Sequence, residues 1–128
     1  MTKEIIANDI NYKGYVARII KTSEKLKLVE GTLYNNMDKA ESWTDGDGEQ
    51  FSTESNNGEY VYVLKCYKAE GHKVDYDNEE ECEVLGCEDC FKESEVLIKA
   101  ETKMEVISGE NEADLEEMGY YVIELQVV

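Results

Sequence analysis

The residues best suited to chemistry are two glutamates, Glu93 and Glu95, which stand two positions apart just before the apolar run 96–98. In an extended chain, side chains two positions apart point to the same face, so both carboxylates would project together from one strand. Two like charges held that close repel each other, an arrangement that is common among functional carboxylates. The alternative is that both are solvent-facing positions of an alternating strand in a chain rich in glutamate. We treat the pair as the centre of a candidate site.

The second candidate is Arg18, the single arginine of the sequence. Residues 14–20 have the pattern of a strand, which places Arg18 on the same face as Val16 and Ile20. A guanidinium between two apolar neighbours must either reach solvent at the sheet edge or bind an anion. The alternative is an ordinary exposed charge.

The cysteines have a metal-like spacing. Cys82, Cys87 and Cys90 lie in an acidic stretch, and zinc needs four ligands that converge at about 2.0–2.3 Å. The candidate zinc ligands are therefore these three and Cys66, with His72 as another choice for the fourth position. The same spacing resembles the start of an iron–sulfur pattern, but no cysteine follows Cys90. The alternative is a set of reduced thiols in a loop.

The composition limits the partners. The 128 residues carry 30 acidic and 13 basic side chains, with a formal net charge of −17. Because phosphate binding needs clustered Lys and Arg, the charge disfavours direct binding to nucleic acid or to an anionic membrane. A protein partner with a basic surface fits this charge. There is no apolar run of 18 residues and no basic-then-apolar order at the N-terminus, so we expect a cytoplasmic protein.

The hydrophobic pattern predicts an α+β chain in which residues 1–128 form a single domain. The clearest strand, 59–67, is β-branched and aromatic throughout, so we expect it to be central and covered on both faces. The last two strands are expected to pair by a hairpin-like return. The predicted strands are 14–20, 59–67, 93–98, 105–108 and 120–128, with a further short strand around Leu26, Leu28 and Leu33.

The remaining segments are predicted to be short helices, turns and loops. Residues 35–43 have the pattern of a helix, with Met37, Ala40 and Trp43 turned inward at three-residue spacing. We expect Trp43 to be a core residue rather than a ligand-stacking one. The predicted loops and turns are a hairpin at 44–58, a turn at 71–73, an acidic cysteine-containing loop at about 75–90, and a loop or short helix at 109–119.

The order of these parts resembles the C-terminal half of ADP-ribosyltransferase domains. In that family a Glu-x-Glu is followed by Val-Leu, a turn, a Thr-Lys-Phe-x-Val strand and a closing Val-Ile-Glu-Leu strand. The corresponding stretches here are Ser-Glu-Val-Leu-Ile at 94–98, Glu-Thr-Lys-Met-Glu-Val-Ile-Ser at 101–108 and Tyr-Val-Ile-Glu-Leu at 121–125. The resemblance covers residues 59–128 well and the first half weakly. It implies a mostly antiparallel α+β core, split into two sheets, with one or two short helices and a cleft that holds NAD.

The resemblance also implies roles for individual residues. Glu95 matches the catalytic glutamate, and Glu93 matches the residue that orients or deprotonates the acceptor. Arg18 is the candidate for the arginine that contacts the dinucleotide phosphates. Ser52 and Thr53 stand in for a Ser-Thr-Ser strand, whose first serine hydrogen-bonds the catalytic glutamate.

A different alignment changes the first half of this assignment. It places Tyr34 and the predicted helix at 38–43 where the serine motif would be, and it leaves the serine motif out. The sequence also departs from the family at Glu54, which occupies the third position of the motif, and in the acidic segment 78–90. These departures bear on activity more than on fold.

The resulting first hypothesis is a mono-ADP-ribosyltransferase that moves ADP-ribose from NAD to a protein. The second is a non-catalytic acidic binder of phage type that blocks a basic surface or mimics nucleic acid on the same scaffold. The third is a small zinc-stabilised adaptor. If the protein is phage-encoded, we expect it in the cytoplasm of the host.

Overall fold

The computed structural model describes residues 2–35, 39–46, 59–85 and 94–128. Those ranges contain seven strands and three short helices. The strands are β1 (Tyr12–Thr22), β2 (Leu33–Asn35), β3 (Glu41–Thr44), β4 (Tyr60–Lys73), β5 (Glu95–Ile98), β6 (Lys103–Ser108) and β7 (Tyr121–Val127). The helices are α1 (Lys3–Ala7), α2 (Glu79–Leu85) and α3 (Glu112–Met118).

The strands are hydrogen-bonded in the order β1-β3-β5-β4-β7-β6-β2. The pairings are antiparallel except that of β4 with β7, which is parallel. β1 also pairs directly with β4, so β1, β3, β5 and β4 are joined in a closed circle of pairings. The length of β4 allows this, because Tyr60 to Gly71 pair with β1 while His72 and Lys73 pair with β5. The predicted α+β class with a mostly antiparallel core is confirmed.

Two groups of buried side chains hold β5 in place. The larger group contains Trp43, Tyr62 and Tyr121, and the last two rings stack with centroids 5.2 Å apart. The smaller group lies against α1 and contains Leu97. Val96 belongs to the larger group, so β5 buries side chains on both faces. Close packing on both sides leaves the strand that begins at Glu95 little freedom to shift.

Several predicted elements are confirmed. The segments 14–20 and 59–67 lie in β1 and β4, and residues 61–64 of β4 are buried without a break, as expected of a central strand. The closing strand pairs antiparallel with β6, and α3 occupies the connection between them. Trp43 is 3% exposed and belongs to the core, as predicted. Within the described ranges, no helix is long and apolar enough to cross a membrane.

The helix predicted at 35–43 is wrong. Asn35 ends β2 and residues 41–44 form β3, while 36–38 lie outside the described residues. In β3, Trp43 stands opposite Val96 and Ser42 opposite Leu97. Pairing with β5 therefore overrides the weak local preference for a helix.

Three smaller predictions are also wrong. The turn predicted at 71–73 is the continuation of β4, which pairs with β5 there. The segment 79–85 is helix α2 rather than loop, because the Asn78 side chain accepts from the Glu81 backbone N–H at 3.2 Å and caps it. Leu26 and Leu28 lie in a connection, and β2 begins only at Leu33.

His72 ties the end of β4 to α2 and to the segment after α1. Its Nε2 lies 2.7 Å from Glu81 Oε1, and its Nδ1 lies 2.7 Å from the Asp9 carbonyl oxygen and 3.6 Å from Asp9 Oδ2. Burial alone lowers the pKa of His72, but its hydrogen bonds to the Asp9 carbonyl and the Glu81 carboxylate outweigh burial and raise that pKa. Since both ring nitrogens face acceptors, the imidazolium is the favoured form.

This link predicts a pH-dependent stability. Because the pKa of His72 is raised by folding, its contribution is complete below the unfolded value of about 6.5 and is lost as the pH rises through the folded value. We therefore expect the free energy of unfolding, measured by chemical denaturation, to fall as the pH rises above about 6.5 and through the raised pKa of the folded state. Glu81→Gln should lower it by about 2 kcal/mol at about pH 6 and reduce its pH dependence.

The matched control is Glu80→Gln, which removes an exposed carboxylate from the same helix. It should leave both the stability and its pH dependence close to those of the wild type. Equal behaviour of the two variants would contradict the role assigned to the His72–Glu81 pair.

Candidate active site

Three neighbouring strands carry the residues of the candidate site. β3 lies between β1 and β5. Arg18 is on β1, Ser42 on β3, and Glu95 is the first residue of β5. A terminal guanidinium nitrogen of Arg18 donates to the Ser42 carbonyl oxygen at 2.6 Å, and the Ser42 hydroxyl donates to Glu95 Oε2 at 2.5 Å. Two residues that are remote in sequence are thus linked through a single serine.

The pairing of β3 with β5 sets this geometry. Thr44 stands opposite Glu95 and Ser42 opposite Leu97, so Ser42 and Glu95 are diagonal neighbours on one face of the pair. Glu95 is only 9% exposed. A carboxylate held away from water needs hydrogen-bond donors, and the Ser42 hydroxyl supplies one.

A second carboxylate, Glu41, lies beside the guanidinium. Its Oε2 accepts from the Tyr34 hydroxyl at 2.9 Å and lies 4.0 Å from Arg18 Nε, while its Oε1 accepts from Trp43 Nε1 at 2.9 Å. Burial and then the negative charge of Glu41 raise the pKa of Tyr34, against a smaller opposing effect of Arg18. Tyr34 therefore stays protonated and donates to Glu41.

The guanidinium is fixed at one side and open at the other. Its side chain is 31% exposed, compared with 17% for Glu41, so it reaches the surface of the molecule. Within the described part of the chain, the buried Arg18 Nε has no hydrogen-bond partner. An anion could reach only the exposed part of the guanidinium, because Nε itself is buried.

The predicted site residues divide into two sets. Arg18 contacts the backbone carbonyl of Ser42 and Glu95 contacts the Ser42 hydroxyl, while Tyr34 contacts Glu41, whose carboxylate lies 4.0 Å from Arg18 Nε. The predicted residues Glu93, Ser52 and Thr53 lie outside the described residues.

Two residues of the site were missed by sequence reasoning, namely Glu41 and Ser42. The hydrogen bond to Glu95 that the resemblance implied for a serine motif is made by Ser42. The available signal was the alternation of Ser42 and Thr44 along residues 41–44, which places two hydroxyls on one face of a strand. The helix predicted over the same residues concealed that alternation.

The cysteines that the structure describes do not fit the predicted zinc site. Cys66 is fully buried in the larger core group, and burial raises its pKa to about 11, whereas a zinc ligand must be a thiolate. Cys82 is on α2 and donates to the Tyr76 carbonyl oxygen at 3.4 Å, and both nitrogens of His72 are already engaged. In the described ranges, no three His, Cys, Asp or Glu side chains are grouped as metal ligands. Cys87 and Cys90 lie outside those ranges.

Solved structures share this fold. The Vis toxin of Vibrio splendidus, an ADP-ribosyltransferase, is 20% identical with a TM-score of 0.54, covering 91% of this chain and 49% of the toxin. C3stau2 of S. aureus, solved with NAD, is 14% identical with a TM-score of 0.60, covering 98% of this chain and 67% of that protein. The type III effector XopAI of Xanthomonas axonopodis pv. citri is 12% identical with a TM-score of 0.55, covering 98% of this chain and 46% of that structure.

These similarities define the fold. The chain has an ADP-ribosyltransferase-like fold over nearly its whole length, which confirms the resemblance found in the sequence. It spans about half the length of the Vis toxin chains that it matches. No family profile and no curated protein sequence matches it.

Proposed function

We propose that this chain is an ADP-ribosyltransferase that moves one ADP-ribose unit from NAD to a protein acceptor. The observation that carries the proposal is the hydrogen-bonded link from Arg18 through Ser42 to Glu95 across three adjacent strands. The link unites a cation suited to phosphates with a nearly buried carboxylate suited to a developing positive charge. The fold, shared with the transferase Vis and with a protein solved with NAD, supports the same function.

Glu95 is the catalytic carboxylate of the proposal. Its negative charge stabilises the positive charge that develops on the nicotinamide ribose while the glycosidic bond breaks. The Ser42 hydroxyl holds the carboxylate in place at 2.5 Å, so little reorganisation is needed during the reaction. Low exposure of Glu95 strengthens the interaction because water screens it less.

Arg18 binds the phosphates of NAD. Its planar fork of donors matches two phosphate oxygens better than a lysine would. Glu41 orients the guanidinium from one side, and Tyr34 holds Glu41 by donating to it. Tyr34 therefore acts at the edge of the NAD site through Glu41, while contacts of Ser52 and Thr53 with NAD remain predictions.

Glu93 orients or deprotonates the acceptor, from a position two residues before Glu95. In the transfer, the bond between the nicotinamide nitrogen and the ribose carbon breaks, and nicotinamide leaves as a neutral base with the electron pair. A nucleophilic atom of the acceptor bonds to the same carbon and gives up its proton. The acceptor is a protein, and the chain's charge of −17 favours one with a basic surface.

The test is transfer of label from NAD to the proteins of a host lysate. The wild type should modify a discrete set of proteins. Glu95→Gln keeps the shape of the side chain but removes its charge, so the transfer rate should fall by about 10²-fold or more. Ser42→Ala leaves the carboxylate without its hydroxyl donor and should reduce the rate by about tenfold or more.

The matched control is Glu116→Gln, which neutralises an exposed glutamate of α3 and should keep the wild-type rate. Absence of transfer to every lysate, or equal transfer by wild type and Glu95→Gln, would contradict the proposal.

A second candidate function is a non-catalytic acidic binder of a basic protein surface. The net charge of −17 favours it, as do the exposed glutamates Glu79, Glu80 and Glu83 along α2. Such binding depends on screened Coulomb attraction and weakens as salt is added.

If the chain is such a binder, host proteins captured by the immobilised chain should elute when salt is added. Their capture should not require NAD. Replacing Glu79, Glu80 and Glu83 with lysine should abolish capture, whereas Glu95→Gln should not change it. Capture that is insensitive both to salt and to this charge reversal would exclude the binder.

A further inference from the structure

Glu95 is held through its backbone as well as through its carboxylate. Its carbonyl oxygen accepts from the Val74 backbone N–H at 3.0 Å. Its own N–H donates to the Tyr76 hydroxyl at 2.8 Å. Together with the Ser42 hydroxyl, these contacts fix Glu95 at three points.

The Tyr76 hydroxyl takes the place of a backbone acceptor. The ladder between β4 and β5 pairs His72 with Leu97 and Lys73 with Val96, so Val74 is the next residue to face Glu95. In a hydrogen-bonded antiparallel pair, the two residues exchange both N–H···O bonds. Here Val74 supplies the donor and the side chain two residues later supplies the acceptor. The last hydrogen bond of the β4–β5 ladder, donated by the Glu95 N–H, is therefore accepted by the Tyr76 hydroxyl and not by a backbone carbonyl.

The segment that carries Tyr76 is itself well anchored. The Tyr76 ring packs against the smaller core group, which contains Val74 and Leu97. On the far side, the His72–Glu81 contact at 2.7 Å and the Asn78 cap fix the start of α2. The hydroxyl is thus delivered to Glu95 by a connection that is held at both ends.

The chain just before Glu95 needs such support. Ser94 has φ of +51°, a left-handed conformation that is unfavourable for a residue with a side chain. The Ser94 carbonyl oxygen accepts from the Asp45 N–H at 3.2 Å, and Lys73 Nζ lies 2.7 Å from Asp45 Oδ2. A strained residue directly before Glu95 persists only where its neighbours determine its position.

We propose that Tyr76 is a positioning residue of the active site, whose hydroxyl orients the backbone of Glu95 so that its carboxylate meets the nicotinamide ribose. The inference rests on the proposed transferase function. Tyr76 itself does not touch the substrate. It acts on the transition state through Glu95 rather than on the binding of NAD.

The test is Tyr76→Phe, which removes the hydroxyl and keeps the ring that packs in the smaller core group. The Glu95 amide loses its acceptor, so its hydrogen exchange, followed by NMR, should accelerate by about fivefold or more. In NAD turnover, kcat should fall by about tenfold, while KM for NAD should stay within about twofold.

The matched control is Tyr62→Phe. The Tyr62 hydroxyl accepts from the Leu26 N–H at 2.9 Å and donates to Glu110 at 3.1 Å, so its loss also removes hydrogen bonds, but away from Glu95. This variant should lower the melting temperature without changing kcat or the exchange of the Glu95 amide.

The two measurements, NAD turnover and hydrogen exchange of the Glu95 amide, separate this inference from the proposed function. An active wild type whose Tyr76→Phe variant keeps full kcat would overturn the positioning role, as would an unchanged Glu95 exchange rate. A wild type that does not turn over NAD would overturn the transferase function, and exchange of the Glu95 amide would still decide whether Tyr76 holds that residue.

Discussion

The hydrogen bond from the Ser42 hydroxyl to the Glu95 carboxylate is the contact on which the rest of the candidate site depends. It joins β3 to β5, and the carbonyl of the same serine receives the guanidinium of Arg18. The register of β3 against β5 makes Ser42 and Glu95 diagonal neighbours on one face, which places the hydroxyl within reach of the carboxylate. A slip of one residue would turn the Ser42 hydroxyl to the opposite face. The alignment of β3 with β5 is therefore the constraint that the remaining structure must satisfy.

The long strand β4 helps to hold this alignment of β3 with β5. Its first part pairs with β1 and its end pairs with β5, so one strand fixes both partners of β3. Gly71 makes the change of partner possible, because a Cβ there would lie 2.6 Å from the Leu97 carbonyl oxygen and 2.8 Å from Val96 Cγ1. β5, the strand that carries Glu95, can approach β4 this closely only because residue 71 has no side chain.

The sequence predicts β1, the first part of β4, β6 and β7 well and β3 poorly, for physical reasons. β4 and β7 are β-branched and aromatic, so their local preference agrees with their final state. β3 is short and polar, and only its pairing with β5, remote in sequence, makes it a strand. The same error hid Ser42, because the inward spacing of Ala40 and Trp43 fits a helix as well. Cysteine spacing likewise predicts zinc, but spacing cannot report that Cys66 is enclosed in the core.

If Arg18 and Glu95 belong to one NAD site, NAD must affect both residues, and the composition makes this measurable. Arg18 is the single arginine and Trp43 the single tryptophan, so the Arg18 Nε–H and the Trp43 Nε1–H each give one assignable NMR signal. Both nitrogens lie near Glu41, beside the guanidinium. During titration with NAD, the Arg18 signal and the Ser42 and Glu95 amide signals should shift together and saturate at a single concentration, while nicotinamide alone should leave the Arg18 signal in place. An Arg18 signal that does not move while NAD shifts residues elsewhere, or that does not respond to NAD at all, would contradict a shared NAD site.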